Sequence, residues 1–545
     1  MSNGDIIAIH GSHNAAVAFG RTASNVVRVV EVERLIGYKN AGLAQYKTVP
    51  SADEIVELAL HVGVSWGYGP TFDLCTSTNI DVVHGRPNGA WEKVYHNRRI
   101  QAAKKVFGPT HHLCHACGTF YQSPFEKAVI VSFDGGGDDG FFNVFVADSR
   151  KDGPRRIASH TIDLGFAYMV FGAYIDVIRL EPSLSDGNLI YSGKLMGLCG
   201  YGVIRHDWVQ AFAEFYRAKP DGNNYEALIK ELGRKIGIEF SQRVGERLTG
   251  QVAYDVAATS QHVFESLFFE LAKPTIDSLP DLPICVTGGC ALNVLLNTRI
   301  KRAWLDRPVF VAPNSSDCGI AVGNLLYHIK PEQPVNVIYA GLPLLDLDAV
   351  AHHWYPVSSQ VSWETLDDDR LVDLLATGKL IGVARGNAEH GPRALGNRSI
   401  LCDPAFPQMK DVLNAKVKHR EWYRPFAPVV RIEDADTYFD LFGQHHESPY
   451  MSFAYDVRQE WRTKLASVTH VDGTARVQTL RRDDNPWLHG LLGKFQAKTG
   501  HGVLLNTSFN VNGQPILSTV REAFQLLMST QLDGLVIEDQ LFIKR

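Results

Sequence analysis

Thr110 to Gly140 reads THHLCHACGTFYQSPFEKAVIVSFDGGGDDG, and this stretch decides the fold. His111 and His115 are four residues apart, so if Thr110 caps a helix through HHLCHACGTFY, both imidazoles leave one face and can share a metal ion. The apolar, β-branched run AVIVSF then predicts a buried strand that ends at Asp134 in a glycine-rich turn. A carboxylate at such a strand tip can hold a cation, while backbone N–H groups freed by Gly135, Gly136 and Gly137 can hold phosphate. A plain hairpin turn would also explain the Asp-Gly run. Cys114 and Cys117 form a CxxC in the same stretch, but no second pair follows and the eight cysteines are scattered, which disfavours structural zinc.

The same apolar, turn, apolar design stands upstream in DIIAIHGSHNAAVAF, residues 5–19, and VVRVVEVER predicts a third strand. Two such hairpin starts predict a duplicated α/β fold of the actin-like ATPase kind, each half lending a turn to nucleotide phosphates. His10, Ser12 and His13 lie in the first turn, where an imidazole of pKa about 6.5 could take a proton from an attacking hydroxyl. Lys39, closing ERLIGYKN, could meet phosphate as a point charge. Between residues 51 and 105 a helical ADEIVELALHVG, a strand-like TFDLCTST and an amphipathic WEKVYHNRRIQAAKKVF alternate, as in α/β proteins. Lys194, in the glycine-flanked SGKLMGLCGYG, could reach a phosphate, although P-loop spacing is absent.

LPICVTGGCALNVLLN predicts a strand, the paired Gly288-Gly289 turn and a helix, a geometry that lets an anion or a ribose-phosphate edge approach the backbone. PVFVAPNSSDCGIAVGNLL places Asp317 after another strand, at a helix start. An N-cap role would suffice for it. As a fourth ligand beside His111, His115 and Asp134 it would complete a two-His, two-Asp set suited to iron, manganese or zinc.

From Gln333 to Glu364 the periodicity lapses, and the domain boundary is placed there, giving domains 1–345 and 346–545. The second domain is rich in arginine loops. RGNAEHGPRALGNRSILCDP offers Arg385, Arg393 and Arg398; KHREWYRPFAPVV offers Lys418, Arg420 and Arg424; DGTARVQTL adds Arg476, and HGVLLNTSFNVNGQPI adds Asn506, Thr507, Ser508 and Asn510 at a strand end. Forked guanidinium donors in several loops of one domain predict a small phosphorylated ligand.

Composition narrows the function class. At 545 residues the chain exceeds one ordinary core. A net charge of −5 without a basic stripe argues against a nucleic-acid partner. No apolar run reaches the roughly 18 residues a membrane span needs, and MSNGDIIAIHGSH lacks a secretory pattern, so a cytoplasmic protein is expected.

Taken in order, HHLCHA, SFDGGGDDG, KLMGL, GGCALN, SDCGIAVG, GPRALGNRSIL, REWYRPFAP, DGTARVQT and LLNTSFNVNGQPI resemble the NodU/CmcH/TobZ-type O-carbamoyltransferases almost end to end. The resemblance implies a ribonuclease-H-like, actin-like N-terminal domain joined to a YrdC-like C-terminal domain. It also implies a two-step reaction: the rear domain makes carbamoyl-adenylate from carbamoyl phosphate and ATP with Mg, and the front domain transfers the carbamoyl group to an alcohol, releasing AMP. His111, His115, Asp134 and Asp317 fall on the family's metal positions, implying Fe(II) or another divalent cation such as Mn or Zn. Arg393, Arg424, Arg476 and Asn506 fall on positions for carbamoyl phosphate and nucleotide; Gly288, Gly289 and Asn293 fall on the adenosine-side turn. His13 falls near the family's first-turn histidine and Lys39 on the lysine after its Glu-Arg pair. Many members read His-Asp at the first turn where this chain has His13-Asn14, so His10 competes with His13 as the general base.

The implied acceptor is a hydroxylated small molecule of secondary metabolism, as in antibiotic biosynthesis; its identity, and whether the chain forms a homo-oligomer, are left open. Two rivals make distinct expectations: a tRNA threonylcarbamoyl-type transferase would bind tRNA in a salt-dependent manner, and an actin-like ATPase would turn over ATP without carbamoyl phosphate.

Overall fold

The computed structural model describes residues 4–22, 24–43, 51–78, 97, 99–179, 187–220 and 224–545. It is a mixed α/β protein with several sheets. Strands β1 (Asp5–His10), β2 (Ala16–Arg21), β3 (Arg28–Glu31), β4 (Thr71–Ser77) and β5 (Gln101–Phe107) form a five-stranded sheet in the order β3-β2-β1-β4-β5. Strands β6 (Ala128–Gly137), β7 (Gly140–Ala147), β8 (Arg155–His160), β9 (Ile284–Thr287) and β10 (Val309–Val311) form another, ordered β10-β9-β6-β7-β8. Counted from its own first strand, the second sheet repeats the order of the first. In both, the first three strands run antiparallel and the next two parallel. The duplication expected from the two hairpin starts is therefore present.

Two sequence readings are adjusted. In VVRVVEVER the strand stops at Glu31 and Val32–Ile36 turns into a short helix. In WEKVYHNRRIQAAKKVF residues 91–96 and 98 lie outside the described residues, and Gln101–Phe107 is strand β5 beside β4.

The continuous apolar run of β6 follows from burial on both faces. Val129, Val131 and Phe133 pack against Phe264 and Phe268 of the long helix Gly250–Asp277, with the Phe133 and Phe268 rings 5.0 Å apart. Ala128 and Ile130, pointing the other way, meet Phe120 and Tyr121 of the helix His111–Gln122. That helix also crosses the helix Ile320–Ile329, where a Cβ on Gly323 would lie 1.9 Å from the Cys114 carbonyl oxygen. Only glycine permits this approach, and it brings the Asp317 turn beside the two histidines.

A third sheet contains β11 (Val361–Thr365), β12 (Ile381–Ala384), β13 (Arg398–Cys402), β14 (Ala427–Arg431), β18 (Gln478–Leu480), β19 (Val503–Ser508), β20 (Gly534–Ile537) and β21 (Gln540–Lys544). Its order is β11-β21-β20-β12-β13-β19-β14-β18. A small sheet of β15 (Phe439–Asp440), β16 (Tyr455–Val457) and β17 (Thr474–Ala475) stands beside it. No helix among the described residues is long and apolar enough to cross a membrane.

Candidate active site

The helix His111–Gln122 begins where β6 and β7 turn. Thr110 stands at its N-cap without a side-chain capping bond. The first free amides are taken instead by the hairpin: His111 N donates to Asp138 Oδ1 (2.7 Å) and His112 N to Asp139 Oδ1 (3.0 Å). Two carboxylates at a helix N-terminus satisfy orphan donors and meet the positive end of the dipole. The GGGDDG turn thus holds the histidine helix in place.

With i, i+4 spacing the His111 and His115 Nε2 atoms lie 3.1 Å apart. His115 Nε2 is 3.3 Å from Asp134 Oδ2 and 3.4 Å from Asp317 Oδ1, and His111 Nε2 is 3.7 Å from each. One donor atom from each of the four residues falls within 4.8 Å of all the others. Asp134 is itself aimed by two backbone amides, Gly135 N to Oδ1 and Gly289 N to Oδ2, both at 2.7 Å. Burial opposes its charge, but His111 and His115 outweigh that and hold the carboxyl well below its usual range. Asp317, opposed by burial and favoured by His13 and His111, is pulled down to about 2. Burial also works against a charged His115, yet the two aspartates lift it to about 9. A buried carboxylate pair demands a positive charge between its members. The chain alone supplies a proton on imidazole, which a divalent ion would displace. Two nitrogens and two oxygens on four converging side chains fit such an ion.

His112, between the two ligand candidates, does something else. Its ring bridges Ser132 Oγ (2.7 Å) and the Gly140 carbonyl (2.9 Å), tying the helix to the hairpin. Burial drives its pKa down to about 4, so it stays neutral.

The first-turn histidines separate. His13 lines the cavity, with Nε2 3.4 Å from Asp317 Oδ2 and Nδ1 3.3 Å from the Asn14 amide nitrogen. His10 corrects the sequence reading: it is fully buried, with Nδ1 3.1 Å from Thr78 Oγ1 and Nε2 3.3 Å from the His13 carbonyl oxygen, and it does not line the cavity. Burial lowers its pKa to about 3. Both ring nitrogens are engaged inside the turn, away from the cavity that His13 lines. Lys39 lines the cavity and pairs with Glu33 Oε1 at 2.9 Å.

Gly288 and Gly289 make the turn after β9, and Gly289 lines the cavity. Gly288 has φ +91°, and a Cβ there would lie 2.2 Å from the Phe133 carbonyl oxygen, so glycine is needed for the turn to pass over β6. Its amide donates to Ser315 O and that of Gly289 to Asp134, so both are spent within the protein. Asn293 lines the cavity but uses Oδ1 to cap the helix Val294–Ala303 and pairs with Gln261.

In the rear half, Arg393, Arg420, Arg424 and Arg476 line the cavity together with Asn506, and Arg424 lies 3.4 Å from Glu421 Oε2. Arg393 and Arg476 donate no hydrogen bond to a described residue, and Arg476 Nε is buried without a partner. Burial and its guanidinium neighbours Arg393, Arg420 and Arg424 press the Arg476 pKa well below normal; burial and Arg424 bring Arg393 down to about 10. Cations crowding one another without matching carboxylates make a site that a multiply charged anion relieves. Arg398 instead is fully buried and binds the carbonyls of Arg385, Gly386 and Asn397, each at 2.9 Å. Arg385 pairs with Asp539, and Arg420 is held by Asn414 Oδ1 and the Phe426 ring. Lys418 is consumed by Ser508 and Asn510, and Lys194 by Glu421, 2.7 Å away.

The acid-histidine cluster and the cavity arginines open on one space. A cavity of about 500 Å³ is lined by His13, Lys39, Asp134 and Asp317 from the front half and by Arg393, Arg424, Arg476 and Asn506 from the rear. His111 and His115 stand behind the two carboxylates.

Residues 87–326 match the carbamoyltransferase N-terminus and residues 372–544 the carbamoyltransferase C-terminus. Nodulation protein NolNO of Sinorhizobium fredii is 34% identical over 448 residues, covering 80% of this chain and 64% of that protein. Nodulation protein NolO of Bradyrhizobium diazoefficiens is 34% identical over 453 residues, covering 80% of this chain and 79% of that protein. The 3'-hydroxymethylcephem-O-carbamoyltransferase of Amycolatopsis lactamdurans is 35% identical over 281 residues, covering 50% of this chain and 52% of that protein.

Proposed function

Because the chain belongs to the carbamoyltransferase family, we propose that it transfers a carbamoyl group to a hydroxyl of a small natural product, using carbamoyl phosphate and ATP with Mg. In this reading residues 346–545 form a YrdC-like domain that makes carbamoyl-adenylate, and residues 1–345 an actin-like domain that transfers from it, in the cytoplasm. The observation that carries the reading is the single cavity on which the acid-histidine cluster and the open arginines both face.

At the arginine end water releases carbamate from carbamoyl phosphate as phosphate departs, and a carbamate oxygen attacks the α-phosphorus of ATP, displacing diphosphate. Arg393, Arg424 and Arg476 neutralise the crowded phosphates through this exchange. Asn506 Oδ1, which has no partner among the described residues, is an acceptor of the kind a carbamoyl NH2 needs. At the front end the acceptor oxygen attacks the carbamoyl carbon, the bond to the AMP phosphate breaks, and AMP leaves. With Nε2 toward Asp317 and Nδ1 accepting from the Asn14 amide, His13 is the imidazole at the cavity that takes the hydroxyl proton, on Nδ1 in exchange for the Asn14 hydrogen bond. A divalent ion such as Fe(II), held by His111, His115, Asp134 and Asp317, would supply positive charge for the departing AMP phosphate. Carbamoyl-adenylate hydrolyses in water, and one shared cavity spares it that exposure.

Mass spectrometry of candidate alcohols tests this function. A gain of one carbamoyl group that requires both ATP and carbamoyl phosphate is expected; ATP turnover indifferent to carbamoyl phosphate would contradict it.

A further inference from the structure

Arg393 has no hydrogen-bond partner among the described residues to aim it, so its position depends on the backbone beneath it. That backbone, residues 386–398, is closed on itself by Glu389, whose Oε1 accepts from Leu395 N (2.7 Å), Asn397 N (2.8 Å) and Arg398 N (3.2 Å). The closed loop is then gripped from the other half of the chain. Arg34, buried in the short helix after β3, donates from Nη1 to the Glu389 carbonyl (2.5 Å) and from Nη2 to the Gly391 carbonyl (2.6 Å). Glu31 lies 2.7 Å from Arg34 Nε and accepts from Gly391 N at 3.3 Å. Burial opposes the charge on Glu31, but Arg34 and His390 overcome it and hold the carboxyl below its usual range.

The grip has a third surface. Gly391 has φ +125°, and a Cβ there would lie 2.4 Å from the Pro313 carbonyl oxygen, in the loop that leads to Asp317. Residue 391 is therefore wedged between the Glu31–Arg34 pair and the Asp317 loop, two residues before Arg393. The segment 338–342 adds a backbone splint, with Val29 N bound to Ala340 O and His390 N to Ile338 O.

We propose that Arg34, with Glu31, is a positioning residue: it fixes the Arg393 guanidinium in register with the acid-histidine cluster, so that anion binding in the rear pocket depends on a cation contributed by the front half. Arg34 does not line the cavity and acts only through the loop. A bidentate arginine on two carbonyls suits this task, because its planar fork sets direction as well as distance. The proposal rests on the reading of the rear pocket as an anion site.

Inorganic diphosphate binding, followed by titration calorimetry, tests it in wild type, Arg34→Met, Arg393→Met and the double variant. Each single change is expected to weaken binding about tenfold, and the double variant to bind within about twofold of Arg393→Met, because both remove the same contribution. In turnover, KM for carbamoyl phosphate should rise while KM for the acceptor holds. Should Arg34→Met not fold, Arg34→Lys keeps Glu31 paired yet reaches one carbonyl only, and a weakening of about threefold is expected. Wild-type affinity in the foldable Arg34 variant, or losses that multiply in the double variant, would overturn the positioning role and leave the anion pocket standing. A wild-type protein that does not bind diphosphate would overturn the pocket and the proposal together. Coupling without any carbamoyl product would sink the functional reading while the positioning role stood.

Discussion

The two ends of the cavity solve opposite electrostatic problems. At the front end two buried carboxylates face two imidazoles within a few ångströms, and the group is short of positive charge unless a proton or cation enters. At the rear end Arg393 and Arg476 point into the cavity without carboxylate partners, short of negative charge. A phosphate-bearing intermediate can be held by either: through its oxygens by the arginines, or through a cation by the aspartates. In the proposed reaction these charge deficits of opposite sign, placed on one cavity, would be the two ends of the transfer.

His115→Ala should break the contrast most severely. Metal content by elemental analysis should collapse and transfer to the alcohol fall about 10³-fold or more, with diphosphate release from ATP and carbamoyl phosphate retained. Equal losses at both ends would mean the ends are not separate.

Arg476→Met gives the complementary case. Diphosphate release should drop about a hundredfold, at unchanged metal content. Loss of metal would instead place Arg476 in the structure of the front site.

Gly289→Ala sharpens the front end. Its Cβ would lie 2.9 Å from Asp134 Oδ1 and disturb the carboxylate that the Gly289 amide orients. Metal affinity, measured by competition with a chelator, should weaken about tenfold.

The smallest effect concerns a cation belonging to neither end. Lys301, in the helix Val294–Ala303, is buried against the Phe453 ring and bonds His445 O and Tyr455 OH, both at 2.8 Å. Burial, partly offset by Glu447, lowers its pKa to about 7. The folded pKa lies below the unfolded one, so the unfolded chain holds an extra proton between them and stability rises with pH from about 7 towards 10. In urea unfolding, wild type should gain on Lys301→Met over that window by at most about 1.4 kcal/mol per pH unit. A flat difference would show that the lysine stays charged when buried.

How much of this could be read from the sequence follows from how local each feature is. The His111–His115 pair needs only the pitch of a helix, and β6 and β9 only an unbroken apolar run. The duplicated sheet showed itself because each hairpin start is contiguous. The arginines were a different problem. Arg398 sits five residues from Arg393 in one glycine-rich loop, yet it binds carbonyls in the interior. Which guanidinium faces the cavity depends on how Glu389 folds the loop, a tertiary fact that composition does not carry. His10 and Gly288 sit on the inner side of their turns, which a sequence does not distinguish from the side facing a cleft. His112 and the capping Asp138 and Asp139 went unread, although an extra histidine between two ligand candidates and paired acids after the glycines were visible signals.

The most direct measurement of a shared cavity is competition for the intermediate. With ATP, carbamoyl phosphate and an accepted alcohol, excess hydroxylamine in solution should leave the yield of carbamoylated alcohol essentially undiminished, because the adenylate passes from the arginines to the acid-histidine cluster without leaving. Quantitative capture as hydroxyurea before transfer would contradict it.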